Sequence, residues 1–176
     1  LDAIEMMKPG VRNLDCHLKA AETIASGLAE IGLMKGDTEE AVSAGAHALF
    51  FPHGLGHMLG LDVHDMEGLN EDLVGYDEKV KRSDQFGLAY LRLGRELETG
   101  FVVTVEPGIY FIPELIDRWK EDKKFTDFIN YEEVEKYRKF GGIRIEDDVL
   151  ITESGYRVLG EPIAKTVEDV EEWCSG

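Results

Sequence analysis

Between Phe50 and His64 the chain reads Phe-Phe-Pro-His-Gly-Leu-Gly-His-Met-Leu-Gly-Leu-Asp-Val-His. Pro52, Gly54, Gly56 and Gly60 bar a helix from this stretch, although His53 and His57 have helical spacing. Turn and extended chain are expected instead, with a short strand at Leu61 to His64. Glycine beside a polar side chain lets another backbone, a metal or a substrate come close. His53, His57 and His64 are therefore candidate site residues, whereas His17 and His47 fall in expected helices and need no special role.

The flanking segments fix the class of fold. Asn13 can cap a helix whose apolar stripe runs through Leu14, Leu18, Ala21, Ala25 and Leu28, with Gly32 to end it. Asp37 and Glu40 form a capping-box pattern before a short helix from Ala41 to Leu49. The polar stretch from Asp65 to Gln85 predicts a surface loop. Phe101 to Val105 is a β-branched run ending at Glu106-Pro107-Gly108, so a buried strand feeds a turn. Pro113 can open a helix to about Lys120, and one or two short amphipathic helices are expected between Phe125 and Phe140. Gly142 to Thr152 predicts one strand, Tyr156 to Leu159 its hairpin partner, and Thr166 with Glu168 to Trp173 a terminal helix. Helices come first and strands later, without βαβ alternation, so the expected class is α+β.

Charge excludes two kinds of partner. The 176 residues hold 36 acidic and 19 basic side chains, a formal net charge of -17, which repels nucleic acid and anionic membrane surfaces alike. No apolar run reaches the length of a bilayer span. Two cysteines, Cys16 and Cys174, rule out a disulfide framework and point to a reducing, cytoplasmic setting. The chain opens on Leu1 inside an expected helix, which suggests a piece of a longer protein.

Two sets of charges fall where apolar residues are expected. Glu106 ends a strongly apolar strand, and a buried carboxylate is costly unless paired, hydrogen-bonded or bound to a cation. Arg144, Glu146 and Asp148 share one strand face. An imidazole with two such carboxylates suits manganese, cobalt, iron or zinc. Finger-type zinc is excluded for want of cysteine pairs. A zincin helix, a dinucleotide fingerprint, a nucleophile elbow and a P-loop are all absent.

Three segments together carry a resemblance: His53-Gly-Leu-Gly-His57 running on to His64-Asp65, then Thr104-Val-Glu106-Pro-Gly-Ile-Tyr110, then Gly142-Ile-Arg-Ile-Glu146-Asp147. In order and spacing they resemble the signatures of the proline-specific metallopeptidases with the pita-bread fold. The resemblance implies a catalytic domain with two divalent metals, most readily manganese, in which a water or hydroxide between the metals attacks the bond before proline. It makes His57, Glu106 and Glu146 metal ligands, with Glu106 also handling protons. It makes His53 and His64 residues that touch substrate and stabilise charge, and Arg144 one that orients the carboxylates. The family also needs two aspartates on earlier strands, for which this chain has no candidates. Residues 1–176 are thus expected to be the C-terminal portion of one catalytic domain, inactive alone and weak in metal binding. A homodimer is expected of the parent protein.

Dipeptidases of this family, the prolidases, must recognise a free carboxylate after proline. Arg92 falls where they place an arginine for that task. The insert from Phe111 to Phe140 also resembles prolidases, while aminopeptidase P enzymes, which act on longer peptides, remain the alternative. A metal-free peptide-binding module and creatine-hydrolysing relatives share the fold.

Overall fold

The computed structural model describes residues 1–176. Its elements are helices α1 (Asp2–Glu5), α2 (Asn13–Glu30), α3 (Thr38–Ala44) and α4 (Glu67–Gly75), strands β1 (Val102–Val105) and β2 (Gly108–Tyr110), helices α5 (Pro113–Glu121) and α6 (Tyr131–Val134), strands β3 (Gly142–Arg144), β4 (Asp147–Ile151) and β5 (Tyr156–Val158), and helix α7 (Val167–Cys174). The α+β order expected from the sequence is what forms.

Local chemistry sets the helix ends. Asp37 caps α3, its carboxylate accepting from the Glu40 amide at 2.9 Å, and the Thr166 hydroxyl caps α7 by accepting from Asp169 at 3.1 Å. Pro113 opens α5. At α2 the expectation shifts by one residue: Arg12 is the cap, and Asn13 turns inward to donate from Nδ2 to the Leu93 carbonyl at 2.9 Å. Gly45, at a φ of 91°, ends α3 before the expected Leu49, and a 3-10 turn continues from Ala46 to Leu49.

Sheet pairing positions the site. β1, β4 and β5 form an antiparallel sheet in the order β1-β4-β5, and β2 pairs with β3. Val102 lies opposite Leu150 and Gly108 opposite Arg144, so one register runs through both ladders. The single strand expected from Gly142 to Thr152 is therefore two, broken where Ile145 and Glu146 meet Pro107 and Glu106. Proline has no amide to donate, and the ladder cannot be regular there. Glu106 and Glu146 occupy opposite positions of that register.

Beneath the sheet, α2 contributes Ala21, Ala25 and Leu28 to one core with Leu33, Leu49, Phe50, Phe51, Leu55, Val103, Val149 and Ile151. His17 and His47 are buried in it with none of their four ring nitrogens hydrogen-bonded. They pack ring against ring at 6.3 Å, and His17 lies 5.1 Å from the Phe51 ring. They are not the ordinary helix residues the sequence suggested.

Two further expectations change. The stretch from Leu61 to His64 forms bends rather than a strand, and the polar segment after Asp65 contains α4 rather than loop alone. α4 escapes sequence reading because it buries almost nothing: Gly75 is its one buried residue, while Leu69 and Leu73 are exposed. Trp119 packs in the core, whereas Trp173 is exposed.

Candidate metal centre

The segment after Phe51 runs beside β1 as an extra, irregular strand. Glu106 donates its amide to the Leu55 carbonyl at 2.7 Å, Thr104 to His57 at 2.9 Å, and Leu59 to Val102 at 2.8 Å. The backbones come so close that a Cβ on Gly56 would stand 1.9 Å from the Thr104 carbonyl oxygen. Gly56 is thus the residue that permits His57 to lie against the strand carrying Glu106. Gly56→Ala is expected to cost about 3 kcal/mol or more through forced backbone separation. Urea unfolding of the whole protein checks this, and an unchanged midpoint would contradict the assigned contact.

This pairing opens a polar cleft of about 450 Å³. All seven candidates from the sequence, His53, His57, His64, Arg92, Glu106, Arg144 and Glu146, line it. His57 Nδ1 lies 3.0 Å from the Met58 carbonyl, an acceptor only, so Nδ1 carries the proton and Nε2 faces the cleft. Nε2 stands 3.3 Å from Glu106 Oε1. Thr104 donates its hydroxyl to the same oxygen at 3.0 Å, and Arg144 Nη1 donates to Oε2 at 2.9 Å. Both oxygens of Glu106 are thereby fixed.

The electrostatics follow from these contacts. Burial opposes a charge on His57, but the hydrogen bond and charge of Glu106 outweigh it, and the imidazole pKa stands above its ordinary value. Burial likewise opposes a charge on Glu106. The hydrogen bonds from His57 and Thr104 and the charges of His57 and Arg144 prevail, so its pKa falls below the usual carboxylate range.

Glu146 lines the same cleft but remains half-open to solvent, with Arg144 Nη2 at 3.8 Å. Arg144 is the cation that balances the two carboxylates here. No three His, Cys, Asp or Glu side chains converge as a complete metal site. The donor set still fits a divalent metal, since an imidazole nitrogen and carboxylate oxygens are the ligands such ions take.

The other histidines differ from one another. His53 Nδ1 donates to the Gly54 carbonyl at 2.8 Å, which leaves Nε2 to accept from the Tyr110 hydroxyl at 3.1 Å. Its ring stands edge-on to Phe51 and Tyr110, so its orientation is fixed while one side borders the cleft. His64 is exposed, with its ring 4.3 Å from that of His57. Arg92 reaches the cleft from the far side while its Nη1 pairs with Glu67 and, at 3.2 Å, with Glu71.

Sequence reasoning missed Thr104, Tyr110 and Glu67. The first two had a legible signal, because Thr104, Glu106, Gly108 and Tyr110 recur at the period of a strand face. Glu67 had none, since its partner is distant in sequence.

The cleft, at a break in an antiparallel ladder, is lined by an inward imidazole nitrogen and two carboxylates, donors of the kind a divalent metal takes. The chain belongs to metallopeptidase family M24, whose model matches residues 1–153. It is 45% identical over 170 residues to a mouse protein named Xaa-Pro dipeptidase, covering 97% of this chain and 33% of that protein. A Botryotinia fuckeliana protein named probable Xaa-Pro aminopeptidase is 43% identical over 169 residues, covering 96% of this chain and 34% of that one. Among solved structures, proline aminopeptidase P II from Yersinia pestis is 32% identical with a TM-score of 0.68, covering 99% of this chain and 32% of that chain. The pita-bread expectation is borne out, and the chain spans about a third of the length of the relatives it matches. No helix is long and apolar enough to cross a membrane.

Proposed function

We propose that residues 1–176 form the C-terminal portion of a catalytic domain that hydrolyses the peptide bond before proline, with Xaa-Pro dipeptides as preferred substrates. The observation that carries this reading is the meeting of all seven candidate side chains in one polar cleft. His57 Nε2, Glu106 and Glu146 would hold two divalent metal ions, manganese first, with cobalt, zinc or iron as substitutes. When bound, such ions lower the pKa of water and polarise the scissile carbonyl.

The protein groups do the rest. The Met58 carbonyl holds His57 in the tautomer that presents Nε2. Thr104 and Arg144 hold the Glu106 carboxylate so that it can take a proton from water and pass it to the leaving proline nitrogen. His64, exposed at the cleft, donates to the carbonyl oxygen as negative charge develops there. His53, pinned by Gly54 and Tyr110, borders the substrate space. On this reading the further ligands would come from outside these residues, and the 176 residues alone would be inactive and hold metal weakly. A reducing cytoplasm suits free Cys16 and Cys174, and the parent acts as a homodimer.

Arg92 receives the dipeptide carboxylate. In the manganese-loaded whole protein, Arg92→Ala is expected to lower kcat/KM for Gly-Pro by about 30- to 100-fold, the worth of a charged hydrogen-bond pair. Cleavage of Gly-Pro-Pro should change far less. Preferential cleavage of the tripeptide by the unaltered protein would instead favour the aminopeptidase P reading, in keeping with the names of several relatives.

A further inference from the structure

Arg92 already has a carboxylate in its grasp. Glu67, in the first turn of α4, pairs with Arg92 Nη1, and its side chain is only 10% exposed although its helix lies on the surface. Glu71 adds a second carboxylate at 3.2 Å from the same nitrogen. Glu71 is itself held by Arg82, which also bonds Asp72 at 2.6 Å and the Ala89 and Leu91 carbonyls at 3.0 Å. The C-terminal end of α4 is held by its buried Gly75, whose carbonyl accepts from the Gly94 and Arg95 amides at 2.8 and 2.9 Å. Its first turns are tied to the body by guanidinium–carboxylate pairs rather than by packing. An element held in this way can release one pair without opening a core.

From this geometry we infer that Glu67 is a specificity-determining residue, an internal carboxylate that occupies Arg92 until a substrate carboxylate displaces it. The inference rests on the reading of Arg92 as the dipeptide-carboxylate receptor. Binding then exchanges one carboxylate for another on the same guanidinium, so the apparent affinity for a free carboxylate is lower than Arg92 alone would give. A ligand ending in a neutral amide does not engage in this exchange. Removing the Glu67 charge therefore raises discrimination in favour of the free acid.

The test compares Gly-Pro with Gly-Pro amide in the metal-loaded whole protein carrying Glu67→Gln, Arg92→Ala or both. Glu67→Ala serves as a second variant, because a glutamine amide can still bridge to Arg92. The inference expects Glu67→Gln and Glu67→Ala to raise the acid-over-amide ratio of kcat/KM about tenfold through KM for the acid. That gain should vanish in the Arg92→Ala background. If both Glu67 variants leave the ratio unchanged or lower it while Arg92→Ala still collapses it, the inference is overturned and the reading of Arg92 stands. If Arg92→Ala leaves the ratio unchanged, that reading fails and the inference falls with it.

Discussion

Glu106→Gln in the manganese-loaded whole protein is expected to lower kcat for Gly-Pro by about a thousandfold, the middle to upper range for loss of a positioned proton-transfer group. The substitution keeps the size of the side chain and removes its charge. Three contacts then change at once. His57 loses the anion 3.3 Å from its Nε2, Arg144 loses its charged acceptor at 2.9 Å, and the Thr104 hydroxyl faces a weaker acceptor. An amide also cannot take a proton from water at neutral pH. Because Glu106 does not touch the distal part of the substrate in this account, KM should move much less than kcat. A loss smaller than tenfold, measured by proline release with metal content verified, would remove Glu106 from the proton-handling role.

The second large effect concerns stability and comes from His17 and His47. Burial pushes the His17 pKa down to about 3 and that of His47 to about 4. In an unfolded chain both would titrate near 6.5. On acidification the unfolded state therefore binds protons that the folded state refuses. Stability from these groups is complete above pH 6.5 and is lost as pH falls from there toward 4 and 3. At pH 5 each histidine costs about 2 kcal/mol, so the pair costs about 4 kcal/mol relative to neutral pH. Urea unfolding of the whole protein at pH 7.5 and 5.0 measures the loss. His17→Leu should remove about half of the difference, because one of the two proton-binding sites is gone. A pH dependence identical to that of the unaltered protein would show that burial does not lower the His17 pKa in the folded state.

Why the sequence disclosed some features and concealed others is a matter of range. The Asp37 cap, the terminal helix after Thr166, the Pro113 helix start and the β1 strand ending at Glu106 depend on neighbours within a few residues, and each forms as read. The break between β3 and β4 was hidden in a continuous-looking run from Gly142 to Thr152, because its cause is Pro107 on the opposite strand. α4 was hidden because it has no buried stripe to produce a periodic signal. The burial of His17 and His47 was hidden because imidazole in a helix has no sequence mark of its surroundings.

The candidate site was legible to an unusual degree, since the three signature segments name side chains that do line one cleft. What they could not give is the wiring between them. Thr104 bonding Glu106, Tyr110 bonding His53, and Glu67 holding Arg92 from 25 positions away are contacts those segments did not name. Such pairings become visible only once the ladder register is known.

The most direct test of the central claim is proline release from Gly-Pro by the whole protein, assayed after loading with manganese, after chelation and after reloading. The account predicts cleavage with metal, its loss on chelation and its return with manganese. Absence of cleavage of both Gly-Pro and Gly-Pro-Pro by protein shown to hold its metal would contradict the account and leave a peptide-binding module in its place.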